Sequence, residues 1–486
     1  MYKKLAIHTI IYSIGLLLPK MVNYAFIRFF TFSLKRDEFS IYTDMYAISF
    51  LIIGLLSFGL ENTYFRFLYK KNYNKNVVFS TIIIIQLIII SLFFFISSNF
   101  IQKIISFTGY SNHPEYFIMF SLIILFDTIC IIPMAWIRMN EKPLLHTMIN
   151  VIMMITQSFL ITYMFSCHKN FFTIKNNYYL YFFKIVNSFT NRIGYIFFAN
   201  MVASFINFIL ILPIILRIVR FSKFKISLAK EMIHYSFPIM TGTIAFSINE
   251  NLDKILIKRW LSDDINGAYS ACYKVGSFMS LYIRIFRLGI EPFFFKKSKD
   301  TNAKYFYEEI TYLFILFGLL FYVLVCGNLK FIIHLLINKR YHFAISIIPI
   351  IIMGNLFLGI YNNLSIFYKI LNRPLVGTYI SLIGVLITLL FNFIFINNPN
   401  NNFIIPAWGT FMSYGFMLLL LFIWNKRTFP KFCKEIKNIL LHFFIANFTV
   451  FITNRNQNII INIIIQLLYL IIILIIERKK LLTLLK

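Results

Sequence analysis

Residues 77–98 read VVFSTIIIIQLIIISLFFFISS, a run of 22 residues without a charged side chain. An α-helix rises about 1.5 Å per residue, so a helix of this length spans roughly 30 Å, the thickness of the hydrocarbon core of a bilayer. Stretches of similar length and polarity recur along the whole chain. This recurrence predicts an all-α integral membrane protein that crosses the bilayer many times.

The overall composition supports this class. The chain has 486 residues, of which 59% are apolar and 13% are charged, and its mean hydropathy is +0.76. Soluble globular proteins carry about 25% charged residues. The composition therefore excludes a soluble globular protein, a disordered chain and a secreted disulfide scaffold. The five cysteines form no CxxC pair, so we expect neither a disulfide nor a bound metal.

About fourteen segments are long and apolar enough to cross the bilayer. They cover residues 6–33, 41–67, 77–98, 116–137, 144–166, 193–216, 232–257, 267–295, 310–328, 344–368, 375–396, 403–424, 438–454 and 458–476. No connecting segment is long enough to fold as a separate domain. We therefore expect the function to reside within the membrane or at its two faces.

The basic residues between these segments predict the orientation. If both termini are cytoplasmic, 27 Lys and Arg residues lie in cytoplasmic segments and 13 in outer ones. Positive charge is enriched on the cytoplasmic side of membrane proteins. The sequence therefore predicts a multi-pass protein of the bacterial inner membrane with cytoplasmic N- and C-termini. The net charge of +29 comes largely from these basic residues beside the membrane spans. It therefore does not indicate nucleic-acid binding, and we expect no nucleic-acid partner.

A weak internal repeat divides the chain. A shift of 230 positions places Gly59-Leu60-Glu61 on Gly289-Ile290-Glu291. Six predicted spans separate the copies, so both copies cross the bilayer in the same direction, as in the parallel repeats of many transporters. We predict an N-lobe at 1–230, a C-lobe at 231–430, and two additional spans with a basic tail at 431–486.

Ionic side chains lie inside several predicted spans, where each costs at least about 2.5 kcal/mol in hydrocarbon. They are concentrated in spans 1, 2, 7 and 8, at the start of each lobe. The predicted cations for an anionic head group are Arg284, Arg287 and Lys274, with Arg28 and Lys20 from the first lobe. The predicted coupling or ion-pair residues are Glu61, Glu291, Glu250, Asp253 and Lys254.

Two interpretations of these charges remain open at this point. In the first, they line a hydrated cavity for an anionic head group, with carboxylates that hold the cations in place or relay protons. In the second, they form ion pairs between helices and determine how the lobes pack. The spacing supports both, because Glu250, Asp253 and Lys254 share one helix face, as do Arg284, Arg287 and Glu291.

Motifs for catalysis are absent from the sequence. There is no Walker A loop, no GxSxG element and no histidine spacing suited to a metal. We therefore expect a protein that is not an enzyme and that uses no cofactor.

Several motifs resemble the polysaccharide-transporter or O-antigen flippase family, which belongs to the multidrug, oligosaccharidyl-lipid and polysaccharide exporter superfamily. They are TIIYS at 9–13, DEF at 37–39, GLENT at 59–63, INENLDKIL at 248–256, GAYSACYK at 267–274 and FRLGIEPFFF at 286–295. The resemblance runs over about residues 5–425 and is strongest over 240–300.

This resemblance implies two six-helix lobes that form a V around a cleft and alternate between inward-open and outward-open states. The implied cargo is an oligosaccharide linked to a polyprenyl pyrophosphate, moved across the cytoplasmic membrane for cell-surface polysaccharide such as the O-antigen of lipopolysaccharide. The two extra C-terminal spans would form a lateral groove for the polyprenyl tail. The lipid bilayer, and the polymerase and glycosyltransferases of the same pathway, are the other implied partners.

Three alternatives compete with this interpretation. A drug or organic-cation exporter of the same superfamily would need an acidic cavity, whereas the spans hold seven cations and six anions. A lipid II flippase shares the fourteen-span arrangement and differs in its sugar pocket. An O-antigen polymerase or ligase would carry one large periplasmic loop, which this sequence lacks.

Overall fold

The computed structural model describes residues 2–68, 73–167, 192–286, 303–365, 374–396, 402–425, 430–456 and 458–478. Within these ranges the chain forms seventeen bounded α-helices and two short 3-10 helices, with no β-strand. Residues 278–286 are helical as well. The predicted all-α class is therefore confirmed.

The helices are numbered in chain order. The first nine are α1 Tyr2–Ser33, α2 Arg36–Ser57, α3 Leu60–Leu68, α4 Lys75–Asn99, α5 Ile101–Thr108, α6 Pro114–Met139, α7 Pro143–Cys167, α8 Ile193–Ile218 and α9 Ile226–Trp260. The others are α10 Asp263–Gly276, α11 Ala303–Gly327, α12 Leu329–Leu336, α13 Ile347–Leu364, α14 Pro374–Ile396, α15 Ile404–Asn425, α16 Pro430–Arg455 and α17 Ile459–Ile476. The 3-10 helices are Phe221–Lys223 and Lys339–Ala344.

Each of the fourteen predicted spans overlaps a helix. Among the described residues, ten helices are long and apolar enough to cross a membrane, counting α2 and α3 together. The remaining four predicted spans correspond to other helices. One is α17, which is apolar but shorter, and three are α1, α9 and α10, which carry ionic side chains. A protein with about fourteen membrane helices is consistent with this structure.

Contacts divide the chain into two compact units. The first unit comprises Met1–Asn23 and Glu38–Ile255, and the second comprises Tyr24–Asp37 and Leu256–Lys486. Helices α1 and α9 each contribute residues to both units. The lobe boundaries predicted at 230 and 430 follow the sequence repeat rather than these contacts, and they remain predictions.

A backbone break separates α2 from α3 inside the second predicted span. Phe58 and Gly59 both have positive φ, at 48° and 64°, and this left-handed turn ends α2. A Cβ on Gly59 would lie 2.8 Å from Ile239 of α9. Glycine is therefore needed at position 59 for both its conformation and its lack of a side chain.

Two short helices occur at equivalent places in the sequence repeat. Helix α5 begins at Ile101 and α12 begins at Leu329, 228 positions later, and each has eight residues. The residue before each helix has nearly the same conformation, with φ −111° at Phe100 and −110° at Asn328. The sequence analysis missed both helices because eight residues are too short for a span. The parallel repeat itself remains a prediction.

Polar side chains attach the C-terminal helices α16 and α17 to α11. The Tyr312 hydroxyl donates to Glu477 over 2.5 Å, and His442 Nε2 lies 2.9 Å from the same carboxylate oxygen. All three residues are buried. A further bond joins Tyr322 to Asn447 over 3.0 Å. Such hydrogen bonds hold membrane helices together, since lipid provides no hydrophobic force between them.

The connection between α1 and α2 packs closely on the start of α10 in the second unit. Arg36 forms a 2.6 Å ion pair with Asp264, and Tyr341 donates to the Leu34 carbonyl over 3.0 Å. A Cβ on Gly267 would overlap the Arg36 carbonyl oxygen. Gly267 therefore permits this backbone contact.

We expect Gly267→Ala to lower the free energy of unfolding by about 1–3 kcal/mol, because the added methyl collides with backbone that cannot move freely. The matched control is Gly415→Ala in α15, where a Cβ would meet Phe357 at an ordinary 3.5 Å. Thermal unfolding in detergent should separate the two variants. Equal melting temperatures for both would contradict the predicted backbone contact.

Candidate functional site

Eight of the ten predicted site residues lie in the described part of the chain, and Arg287 and Glu291 lie outside it. The first unit contains Lys20, Glu61, Glu250, Asp253 and Lys254, and the second contains Arg28, Lys274 and Arg284. The two groups are described separately below.

In the first unit, Asp253 and Lys254 form a buried ion pair on α9. Lys254 Nζ donates to Asp253 Oδ1 over 3.0 Å and to the Glu250 carbonyl over 2.6 Å. The exposed fractions of the two side chains are 2% and 10%. A buried charge requires such partners because its desolvation is costly. The pair lies within one helix, so it is not an ion pair between helices, and the role of both residues in transport remains a prediction.

The polar face of α9 lies close to α2 in the same unit. A Cβ on Gly54 would lie 2.7 Å from the Ser247 hydroxyl oxygen, so the two helices approach closely at this point. Asn249, two residues further along α9, is also buried. Small residues at such contacts let membrane helices pack closely and bury polar groups between them.

Glu61 at the start of α3 pairs with Arg138 at the end of α6. Both side chains are partly exposed, at 37% and 36%. The guanidinium of Arg138 also lies 5.6 Å from the Phe65 ring centre. Arg138 is one of the 27 basic residues that the predicted topology places in cytoplasmic segments, and the sequence indicates no partner for it. The sequence contains one signal for this pair. The second and fourth predicted spans end on the same side of the membrane, near Glu61 and Arg138.

Two further polar contacts join α9 to neighbouring segments near this pair. The Arg66 guanidinium lies 4.1 Å from the Tyr235 ring centre, and the Tyr73 hydroxyl donates to Glu231 over 3.2 Å. The predicted topology places this end of the first unit at the cytoplasmic face. The contacts therefore connect α3, α6 and the start of α9 there.

At the opposite end of α2, Asp44 is buried and accepts a 2.7 Å hydrogen bond from the Tyr110 hydroxyl. Tyr110 follows Gly109, whose φ of 82° ends α5 in a left-handed turn. The sequence analysis counted Asp44 among the intramembrane acids and did not identify Tyr110. A partner brought in by a turn 66 residues away gives no signal in the local sequence.

In the second unit, the eighth predicted span contains a helix break between Lys274 and Arg284. Helix α10 ends at Gly276, and residues 278–286 continue as helix after Ser277. The Tyr24 hydroxyl donates to the Ser277 carbonyl over 3.0 Å, and Asn355 donates to the Gly276 carbonyl over 3.5 Å. The Ser277 carbonyl also accepts the Ser280 backbone N–H over 2.9 Å, so the backbone at the break is bonded both within the helix and by side chains of other helices.

The two cations on either side of this break differ in exposure. Lys274 is half-buried, whereas Arg284 is exposed. In the predicted topology both lie at membrane depth. An exposed guanidinium at that depth is unfavourable against lipid tails and is usually found facing a hydrated cavity. The break therefore separates two cations in different environments within one predicted span.

Arg28 lies near the end of α1, in the part of this helix that belongs to the second unit. Its guanidinium donates to the Leu335 carbonyl of α12 and lies 5.2 Å from the Phe32 ring centre. Arg28 is exposed and lines a groove between α1 and α12. The structure thus places Arg28 beside a short surface helix that the sequence analysis did not predict.

The fold is similar to those of several solved membrane transporters. A lipid II flippase, MurJ, in an inward closed conformation is 17% identical and has a TM-score of 0.70, covering 98% of this chain and 99% of the other. The MATE transporter VcmN from Vibrio cholerae, in its bent form, is 14% identical with a TM-score of 0.57, covering 90% and 98%. The MATE multidrug transporter DinF-BH is 16% identical with a TM-score of 0.59, covering 87% and 95%.

These similarities define a multi-pass membrane protein with a fold shared by flippases and multidrug exporters. The model of the polysaccharide biosynthesis protein family matches residues 5–286, more than half of the sequence. The chain therefore belongs to this family, in agreement with the resemblance of its motifs. No curated protein matches the chain.

The Glu61–Arg138 contact predicts rescue by charge reversal. Each of the single variants Glu61→Arg and Arg138→Glu should lower the melting temperature, because each places two like charges together. The double variant should restore it, with a coupling free energy of about 1 kcal/mol or less, as expected for partly exposed ions. The measurement is a double-mutant cycle of thermal unfolding. Additive effects of the two changes would show that the ions do not interact.

Proposed function

We propose that this protein moves an oligosaccharide linked to a polyprenyl pyrophosphate across the cytoplasmic membrane by alternating access, for the synthesis of a cell-surface polysaccharide such as an O-antigen. The family and the fold support a membrane flippase or exporter. Both are typical of transporters rather than of enzymes. The cargo is the one that the family resemblance implies, and the intramembrane cations suit its pyrophosphate.

A glycan cannot cross hydrocarbon unaided, because each unpaired polar group costs several kcal/mol there. A hydrated cavity replaces water around the sugars while the polyprenyl chain stays in the bilayer. The pyrophosphate requires compensating cations, and arginine offers two parallel hydrogen bonds to phosphate oxygens. The proposed head-group ligands are Arg284, Arg287, Lys274 and Lys20.

The observation that carries this proposal is that Arg284 is exposed at predicted membrane depth, on the helical segment that follows the break at Ser277. Interrupted helices commonly bind the charged part of the cargo in secondary transporters. Lys274 precedes this break and Arg287 follows Arg284 by one helical turn along the sequence. We propose that these three cations hold the pyrophosphate and that the acidic residues Glu250, Glu61 and Glu291 position cations or couple ions.

A second candidate cargo is lipid II, which carries the same polyprenyl pyrophosphate with different sugars. The similarity to the lipid II flippase covers 98% of this chain, whereas the MATE matches given above cover 90% and 87%. This wider coverage favours a lipid flippase over a drug exporter. It does not distinguish the two glycans, since the same fold would serve both lipid-linked cargoes.

Complementation should test the cargo and its cations. In a strain that lacks its O-antigen flippase, the unmodified protein should restore surface polysaccharide. We expect Arg284→Gln and Arg287→Gln to lower this transport about 10- to 100-fold, because each removes a charge-assisted contact to phosphate worth about 1.5–3 kcal/mol. The matched control is Lys103→Gln, an exposed cation on α5. Polysaccharide on the cell surface is measured relative to protein in the membrane.

The host strain distinguishes the two cargoes. Rescue of a strain depleted of its lipid II flippase, without rescue of the O-antigen strain, would select lipid II. Full activity of both arginine variants at normal expression would contradict the head-group assignment. Rescue of neither strain, together with drug export, would contradict the proposed function itself.

We also propose that the protein lies in the bacterial inner membrane with both termini in the cytoplasm. The polymerase and glycosyltransferases of the same pathway are its proposed partners. Alkaline phosphatase is active only outside the cytoplasm, so fusions should report this orientation. A fusion after Lys103 should be active and one after Lys142 inactive, because the predicted topology places these positions on opposite faces. The reverse pattern would show that the orientation is inverted.

A further inference from the structure

A groove of about 530 Å³ lies in the second unit between the end of α1 and α12. Its lining comprises Arg28, Phe32, Phe331, His334, Leu335, Ile337, Asn338 and Lys339. These side chains include two permanent cations and one histidine, and no carboxylate. The groove therefore has an excess of positive charge between apolar walls.

The cations of the groove are accessible. Arg28, His334 and Lys339 are all exposed. A guanidinium carries five N–H donors, and in the described part of the chain one donates to the Leu335 carbonyl. That bond fixes Arg28 beside the end of α12 and leaves donors for a ligand. A phosphate oxygen is the acceptor that suits a lysine and an arginine together.

The walls of the groove carry exposed apolar side chains, which suit the interface of a bilayer. The side chains of Phe32, Phe331 and Leu335 expose 49%, 61% and 50% of their area. Helix α12 buries Leu329 and Ile333 against the protein and exposes Phe331 and Leu335 on its other side. Helices of this kind lie in the interface of the bilayer with their apolar face toward the acyl chains. The predicted topology places α12 at the outer interface.

We propose that this groove binds the head group of an anionic phospholipid from the outer leaflet. The phosphate contacts Arg28 and Lys339, and the acyl chains lie beside Phe331 and Leu335. The charge favours an anionic lipid over a zwitterionic one, because none of the described residues that line the groove is acidic and could attract a choline or ethanolamine group. A bound lipid would also tie α12 to the end of α1.

The equivalent helix in the first unit lacks this arrangement. The surface depression on α5 is lined by Lys103, Ile104, Ser106 and Phe107, with a single cation. Helix α5 buries none of its residues. The two short helices are thus similar in length but differ in their surroundings. Among the described residues, α12 alone has an arginine from α1 beside it. The lipid site is expected at α12.

Native mass spectrometry of the full-length protein tests this proposal. The protein is released from nanodiscs that contain equal amounts of phosphatidylglycerol and phosphatidylcholine, and the retained lipids are counted. We expect retained phosphatidylglycerol to fall about fivefold for each cation removed in Lys339→Gln and Arg28→Gln. The matched control is Lys330→Gln, an exposed cation on α12 that does not line the groove, and it should retain the lipid.

Three results would overturn the proposal. One is unchanged phosphatidylglycerol in the Lys339→Gln variant, which leaves the Arg28 contact with α12 intact and should fold. Another is equal retention of phosphatidylcholine, which would show that charge is not recognised. The third is displacement of phosphatidylglycerol by undecaprenyl pyrophosphate or by inorganic phosphate at low concentration, which would assign the groove to the cargo or to free phosphate. Because the readout is lipid retention rather than transport, these results are independent of the proposed function.

Discussion

The main physical constraint on this protein is that hydrocarbon cannot hydrogen-bond to a polar group. A chain that crosses the bilayer must therefore form helices, whose backbone groups are paired internally. Every interruption of a helix and every ionic side chain then needs a partner within the protein or access to water. The described residues show both solutions. Asp253 pairs with Lys254, and Asp44 accepts a bond from Tyr110.

The helix breaks follow the same rule. At the end of α10, side chains from other helices bind the carbonyls of Gly276 and Ser277. At the end of α2, the turn is made by Gly59, where a larger residue would collide with Ile239. Breaks in membrane helices are tolerated where protein or a hydrated cavity satisfies the freed groups.

The two attached C-terminal helices show how polar contacts replace the hydrophobic effect within the bilayer. Helix α17 is strongly apolar, yet Glu477 directly after it accepts a bond from Tyr312 of α11. In α16, Asn447 accepts a bond from Tyr322 of α11, and His442 contacts the Glu477 carboxylate. Apolar side chains face lipid and protein equally well, so they select no partner. Hydrogen bonds have fixed partners and thus determine which helix each one packs against.

The sequence by itself determined the helical class and the approximate positions of the membrane helices, because hydrophobic length is a local property. It also located the ionic side chains and the family motifs. Tertiary structure alone decided the partners: Arg138 for Glu61, Tyr110 for Asp44 and Leu335 for Arg28. The hydrophobic pattern of the sequence also did not predict the short helices α5 and α12 or the break at Ser277. Pairings between distant residues depend on how helices pack, and no local pattern of hydrophobicity encodes that packing.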